Sequence, residues 1–208
     1  MAVDQGLKKQ IAEEKMPNGK KKTLLTAIDL FSKQGYSATS TSQIAKEAGV
    51  SEATIFKYFK TKSQLLDAVL KPMIEKMIPV FRQEFVDEFY NKKFATLDEL
   101  VIAIIKSRYK FIYENQQLLQ IFINELLINS SLKDTIGKYY TVNSGKVDEE
   151  FSQIFASYGK DISFSSFFTK LIRIMIGYFI QETIINGKLS KNPKEDLEVM
   201  AKQLMVSL

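Results

Sequence analysis

Apolar residues recur at helical spacing along most of the chain, and no stretch shows the alternation of a half-buried strand. Leu24, Leu25, Ile28 and Phe31 mark the first run, which starts near Lys20, and Gly35 is placed to end it. Three short units follow. Residues 41–48 read as two turns of helix with a hydroxyl at the start, and Gly49-Val50-Ser51 as a tight connection. Residues 52–59 read as a second helix capped by Ser51, with Thr54 where a full capping box carries an acid. A further helix is predicted from about Ser63, and Pro72 and Pro79 are expected to kink or bound it.

Downstream, Thr96 and Glu99 form a capping-box start for 97–113, and Asn115 opens 116–129. Residues 132–157 are less regular and contain Gly137 and Gly145. The strongest run, 164–186, ends at Gly187, and Pro193 sits at the start of a last helix, 194–207. Residues 1–19 are poor in apolar side chains and broken by Pro17-Asn18-Gly19, so they are expected to form a flexible or weakly helical extension. The pattern predicts an all-α fold.

The 208 residues contain no His and no Cys. That excludes a Ser-His-Asp triad, a cysteine nucleophile, a disulfide and the usual nitrogen or sulfur zinc ligands. Adjacent carboxylates such as Asp87-Glu88 and Glu149-Glu150 lie among other charges and read as solvated helix faces. Asn18-Gly19-Lys20 lacks the first glycine and the hydroxyl of a phosphate loop. No catalytic residue, metal or other cofactor is expected. The lysine-rich start does not read as a signal peptide. The apolar stretch 171–185 is interrupted by Arg173, Gln181 and Glu182 and falls short of the ~20 residues that span a bilayer. A soluble, cytoplasmic protein is the expectation.

Charge is distributed unevenly. Residues 1–62 hold 11 Lys+Arg against 6 Asp+Glu, whereas residues 63–208 hold 18 of each. A basic end on a neutral body suits binding to a phosphate backbone. The same third carries the geometry of a helix-turn-helix over about 42–61. Ile44, Ala45, Ala48, Val50, Ile55 and Phe59 form its small core, and Gly49 frees the turn. Ser42, Glu52, Ala53, Thr54 and Lys57 point outward and are short or polar, as base-edge readers should be.

The stretch from Ala27-Ile28-Asp29-Leu30-Phe31 through Gly35-Tyr36, Thr39, Thr41, Ile44-Ala45, Ala48-Gly49-Val50-Ser51, Thr54-Ile55-Phe56 and Tyr58-Phe59 to Lys62 and Leu65-Leu66 resembles the TetR/AcrR family of bacterial regulators. The resemblance runs over about residues 20–70. It implies a three-helix DNA-binding domain at 20–66, joined to a larger helical ligand-binding and dimerisation domain at 67–208. Each subunit of a homodimer would then place one reading head on half of a palindromic operator. By the same resemblance Thr41, Tyr58 and Lys62 fall at phosphate-contacting positions, and Lys57 where bases or backbone are reached. The family usually has tyrosine at Phe56, whose hydroxyl bonds a phosphate. Phenylalanine cannot, so Phe56 is expected to pack while Lys57, Lys60 and Lys62 cover the backbone.

In the body, polar residues set within apolar runs are the pocket candidates, because burial demands a partner. They are Arg108, Asn124, Glu125, Arg173 and Gln181. The aromatic residues there, among them Tyr109, Tyr139, Tyr140 and Phe151, read as core or interface. The last two helices carry more apolar surface than one subunit can bury, and Phe164, Phe168, Ile172, Met175 and Phe179 are the candidates for a four-helix dimer seam. The expected function is a dimeric repressor, released from double-stranded DNA by a small, largely apolar ligand. A regulator controlled by a protein partner, or acting without a small molecule, is the alternative.

Overall fold

The computed structural model describes residues 6–90, 92–130, 132–133 and 145–208, with the backbone alone at 7, 73, 75–87 and 145–147. The described residues form ten helices and no strand. They are α1 (Leu7–Glu13), α2 (Asn18–Gln34), α3 (Thr41–Ala48), α4 (Glu52–Tyr58), α5 (Lys62–Tyr90), α6 (Leu97–Glu114), α7 (Gln116–Ile128), α8 (Gly145–Ala156), α9 (Phe164–Ile184) and α10 (Lys194–Ser207). Gly137, Tyr139 and Tyr140 lie outside the described residues.

The chain divides into two compact units, Met1–Ile78 with Glu114–Val142, and Pro79–Tyr113 with Asn143–Leu208. This division differs from the expected boundary at 66/67, because α7 joins the unit that holds α1 to α4. Neither Pro72 nor Pro79 ends a helix: both fall inside α5, which contributes residues to each unit.

In the first unit, α2 turns one apolar face inward, with Leu24, Ala27, Ile28 and Phe31 buried. Ile44 of α3, Ile55 of α4 and Leu65 and Leu66 of α5 are likewise buried in this unit. The unit also packs down α1, in the stretch expected to be a flexible or weakly helical extension. Ile11 of α1 is buried. Lys8 pairs with Asp29 of α2 and bonds Gln117 of α7 at 3.1 Å, while the Gln117 amide donates to the same Asp29 carboxylate at 3.0 Å. Gly6 abuts the Glu114 carbonyl, where an added Cβ would meet the oxygen at 2.7 Å. These ties are long-range, so composition alone did not disclose them.

In the second unit an aromatic cluster forms the centre. Phe151, Phe155, Phe164 and Phe167 pack with tilted or edge-on rings, their contacting centroids between 4.7 and 5.2 Å apart. Phe164, Phe167, Leu171, Met175 and Phe179 repeat at intervals of three and four along α9, and all are buried within the single chain. Phe164, Met175 and Phe179 are therefore core residues and not the seam candidates that the sequence suggested. Phe168 and Ile172, on the neighbouring stripe, stay half-buried. Ile180, Ile184, Val199 and Val206 of α9 and α10 are exposed. Among the described residues, no helix is long and apolar enough to cross a membrane.

Candidate nucleic-acid interface

The interface candidates are held by local capping that the sequence dictates. Ser40, one residue before Thr41, caps α3 by accepting from the Gln43 amide at 3.0 Å. Gly49 closes that helix in the left-handed conformation, at φ 64° and ψ 40°, which costs a residue with a Cβ roughly 1 kcal/mol or more. Ser51 caps α4 by accepting from the Thr54 amide at 3.1 Å, and its hydroxyl also meets the Thr54 hydroxyl at 2.8 Å. The turn is thus fixed by two serine caps and one glycine. Ile44, Ala48 and Ile55 are buried beneath it.

This scaffold leaves Ala53, Phe56 and Lys57 of α4 exposed, with Lys60 just beyond, while Glu52, Thr54 and Tyr58 are half-buried. Ser42 is exposed on α3 and its hydroxyl lies 3.0 Å from that of Ser40. Thr41 donates to the Glu52 carboxylate, so these two candidates bond each other across the turn. Lys57 sits 5.7 Å from the centre of the Tyr58 ring. Phe56 departs from expectation: it is 40% exposed rather than packed, because the helical period turns it away from Ile55 and Phe59. α4 therefore carries an aromatic face outward among polar residues.

Lys62 has a different setting. Its ammonium lies 4.2 Å from the centre of the Tyr36 ring and 3.4 Å from the Ser37 carbonyl. Partial burial lowers its pKa, against the upward pull of the Glu125 carboxylate. Glu125, on α7, is 5% exposed, and burial raises its own pKa while the Lys62 charge opposes the rise. A residue expected in a ligand pocket is thus an electrostatic neighbour of a residue expected on phosphate.

The remaining pocket candidates are not gathered into one place. Asn124, Arg173 and Gln181 are exposed, because their positions along α7 and α9 face solvent despite apolar neighbours in sequence. Arg108 is 7% exposed in the second unit and pairs with Glu88 at 2.6 Å, with the Ser107 hydroxyl at 2.9 Å. Beside these stands a tyrosine group that the polar-in-apolar criterion passed over. Tyr109 donates to the Ser190 carbonyl and Tyr178 to Asp196 at 2.8 Å, their rings meeting edge-on at 5.9 Å. Burial, then the charges of Glu182 and Tyr113, push the Tyr109 hydroxyl up to about 12. Burial, then the hydrogen bond and charge of Asp196, push Tyr178 up as well.

Sequence reasoning also missed Gly19, which it treated as a breaker. It lies in the first turn of α2 against the interface helix: a Cβ there would meet the Thr54 methyl at 3.0 Å and the Tyr58 ring at 3.6 Å. A small residue directly before a lysine run was the available signal.

Residues 24–69 match the family model of the bacterial regulatory proteins of the tetR family. The HTH-type transcriptional regulator YvkB of Bacillus subtilis is 27% identical over 189 residues, covering 85% of this chain and 89% of that protein. The fatty acid metabolism regulator protein of the same organism is 24% identical over 86% of this chain and 88% of its own length. Among solved structures, the transcriptional regulator FadR from Bacillus subtilis in complex with stearoyl-CoA superposes with a TM-score of 0.61 at 19% identity, over 89% of this chain and 96% of that one.

Proposed function

We propose that this chain, which carries the tetR-family DNA-binding domain in residues 24–69, is a homodimeric repressor that docks α4 in the major groove of a palindromic operator. The observation that carries the reading is the α3–turn–α4 geometry, in which two serine caps and Gly49 hold α4 so that Ala53 and Lys57 stand exposed. Ser42, Thr54 and Lys57 reach base edges. Thr41, Tyr58, Lys60 and Lys62 attend to phosphate, with Glu52 bracing Thr41. The two-fold pairing uses the outward faces of α9 and α10, where Ile172, Ile180, Val199 and Val206 lie. Two heads would then meet half-sites about one helical turn, ~34–36 Å, apart.

Release comes from a small, largely apolar molecule bound among the body helices, and α5 transmits the change, since both units share it. The stearoyl-CoA held by the FadR neighbour makes a fatty acyl thioester the first ligand to try. Such a regulator works in the cytoplasm, beside its DNA.

The test has two parts. A duplex selected by the protein from a randomised pool should read as a palindrome, and its affinity should fall steeply with salt as counterions are released. Stearoyl-CoA added to the complex should then weaken it. A flat salt response would refute the DNA reading. Indifference to stearoyl-CoA would remove that ligand and leave the DNA reading intact.

A further inference from the structure

We propose that the first turn of α2 is a second, lysine-bearing wall of the nucleic-acid interface, with Lys20 and Lys22 meeting phosphates that flank the bases read by α4. The proposal rests on α4 being the recognition helix. It starts from Gly19, whose missing side chain lets the α2 backbone lie against Thr54 and Tyr58 of that helix. Any cation on the adjoining positions of α2 is then carried to the edge of the reading surface.

Three lysines follow Gly19, and the structure treats them unequally. Lys21 donates to the Ala12 carbonyl at 2.6 Å and so is turned toward the end of α1. Lys20 lies on the α4 side, its ammonium 6.0 Å from the centre of the Phe59 ring. Lys22 is exposed. On a helical wheel it stands about 60° from Gly19 on the solvent side, at 100° per residue. Two of the three therefore border the α4 contact and one does not. Lys20 and Lys22 are thereby placed to meet a backbone that runs past α4, and Lys21 is not.

Phosphate contacts carry charge but no sequence information, and each neutralised phosphate contributes about 0.9 to the slope of log affinity against log salt. The experiment measures that slope for the full-length protein on a random-sequence duplex and on the duplex it selects from a randomised pool. Lys20→Ala and Lys22→Ala should each make the slope shallower by about 0.9 per bound subunit, an affinity loss of about fivefold per contact at 0.15 M salt. Lys21→Ala should leave it unchanged, and none of the three should alter the selected sequence. Far-UV dichroism and melting confirm folding, and Lys20→Gln replaces Lys20→Ala if loss of the stem over Phe59 disturbs the fold. Equal effects from all three lysines, or none from Lys20 and Lys22, would overturn the proposal. If the unaltered protein itself shows no steep salt dependence, the reading of α4 fails first and this proposal falls with it.

Discussion

Three demands converge on Thr54. Its amide completes the Ser51 cap, its hydroxyl meets the Ser51 hydroxyl, and its methyl closes on the first turn of α2. The cap uses the backbone, so Thr54→Ala leaves it in place and removes the hydroxyl contact to Ser51, the methyl contact to α2 and what the side chain offers to DNA. That variant, like Lys57→Ala, is expected to change the preferred half-site, with a shift of about 1–3 kcal/mol between bases at the affected position. Lys62→Ala should weaken all sequences alike and reduce the salt slope by about one per subunit. Selection from randomised half-sites separates the two outcomes. An unchanged preference in both α4 variants would show that these side chains do not read bases. Phe56 offers a gain rather than a loss. It is exposed on the same helix, and Phe56→Tyr adds a hydroxyl to that outward face, able to donate to a phosphate of DNA docked on α4. Tighter binding by about 1 kcal/mol, roughly fivefold, is expected in a direct titration against the unaltered protein.

Short elements whose signals are local were the most legible. The hairpin of α3 and α4 could be placed from sequence because its caps and its left-handed glycine act within four residues of themselves. α9 shows the opposite case. Its apolar residues fill two adjacent stripes, and a run of that kind does not say which stripe faces inward until its neighbours are known. Packing against Phe151 and Phe155 decides it, taking Phe164 and Phe167 inside and leaving Ile172 half-buried and Ile180 exposed. The pocket candidates divide for the same reason: Arg108 and Glu125 are buried and Asn124, Arg173 and Gln181 are not, although all five are flanked by apolar residues. The corrected stripe gives a sharper experiment. Ile180→Glu should split the proposed dimer while the subunit stays folded, whereas Phe167→Glu, at 0% exposure, should unfold it by burying a charge at a cost of several kcal/mol. Sedimentation with far-UV dichroism distinguishes these results, and a folded, dimeric Ile180→Glu would move the seam elsewhere.

For the molecule entire, the buried tyrosines of the second unit set a limit at high pH. Tyr109 holds its proton to about 12 when folded, against about 10 when unfolded. A raised folded pKa means stability that is complete below about 10 and lost as pH climbs toward about 12, because the unfolded chain releases the proton first. Melting temperature measured across that window should fall, and Tyr109→Phe should flatten the fall; equal slopes would mean that other groups govern it. The composition of the first unit bears on something else, how far such regulators can be recombined. α7 belongs with the reading helices, and Lys8, Asp29 and Gln117 bond one another across α1, α2 and α7. A chimera spliced near residue 66 would set Asp29 and Lys8 against a foreign helix, and Gly6 against a foreign backbone where a Cβ already has no room. Functional hybrids should therefore inherit residues 114–142 together with the amino-terminal helices, two separate stretches of gene for one interchangeable part.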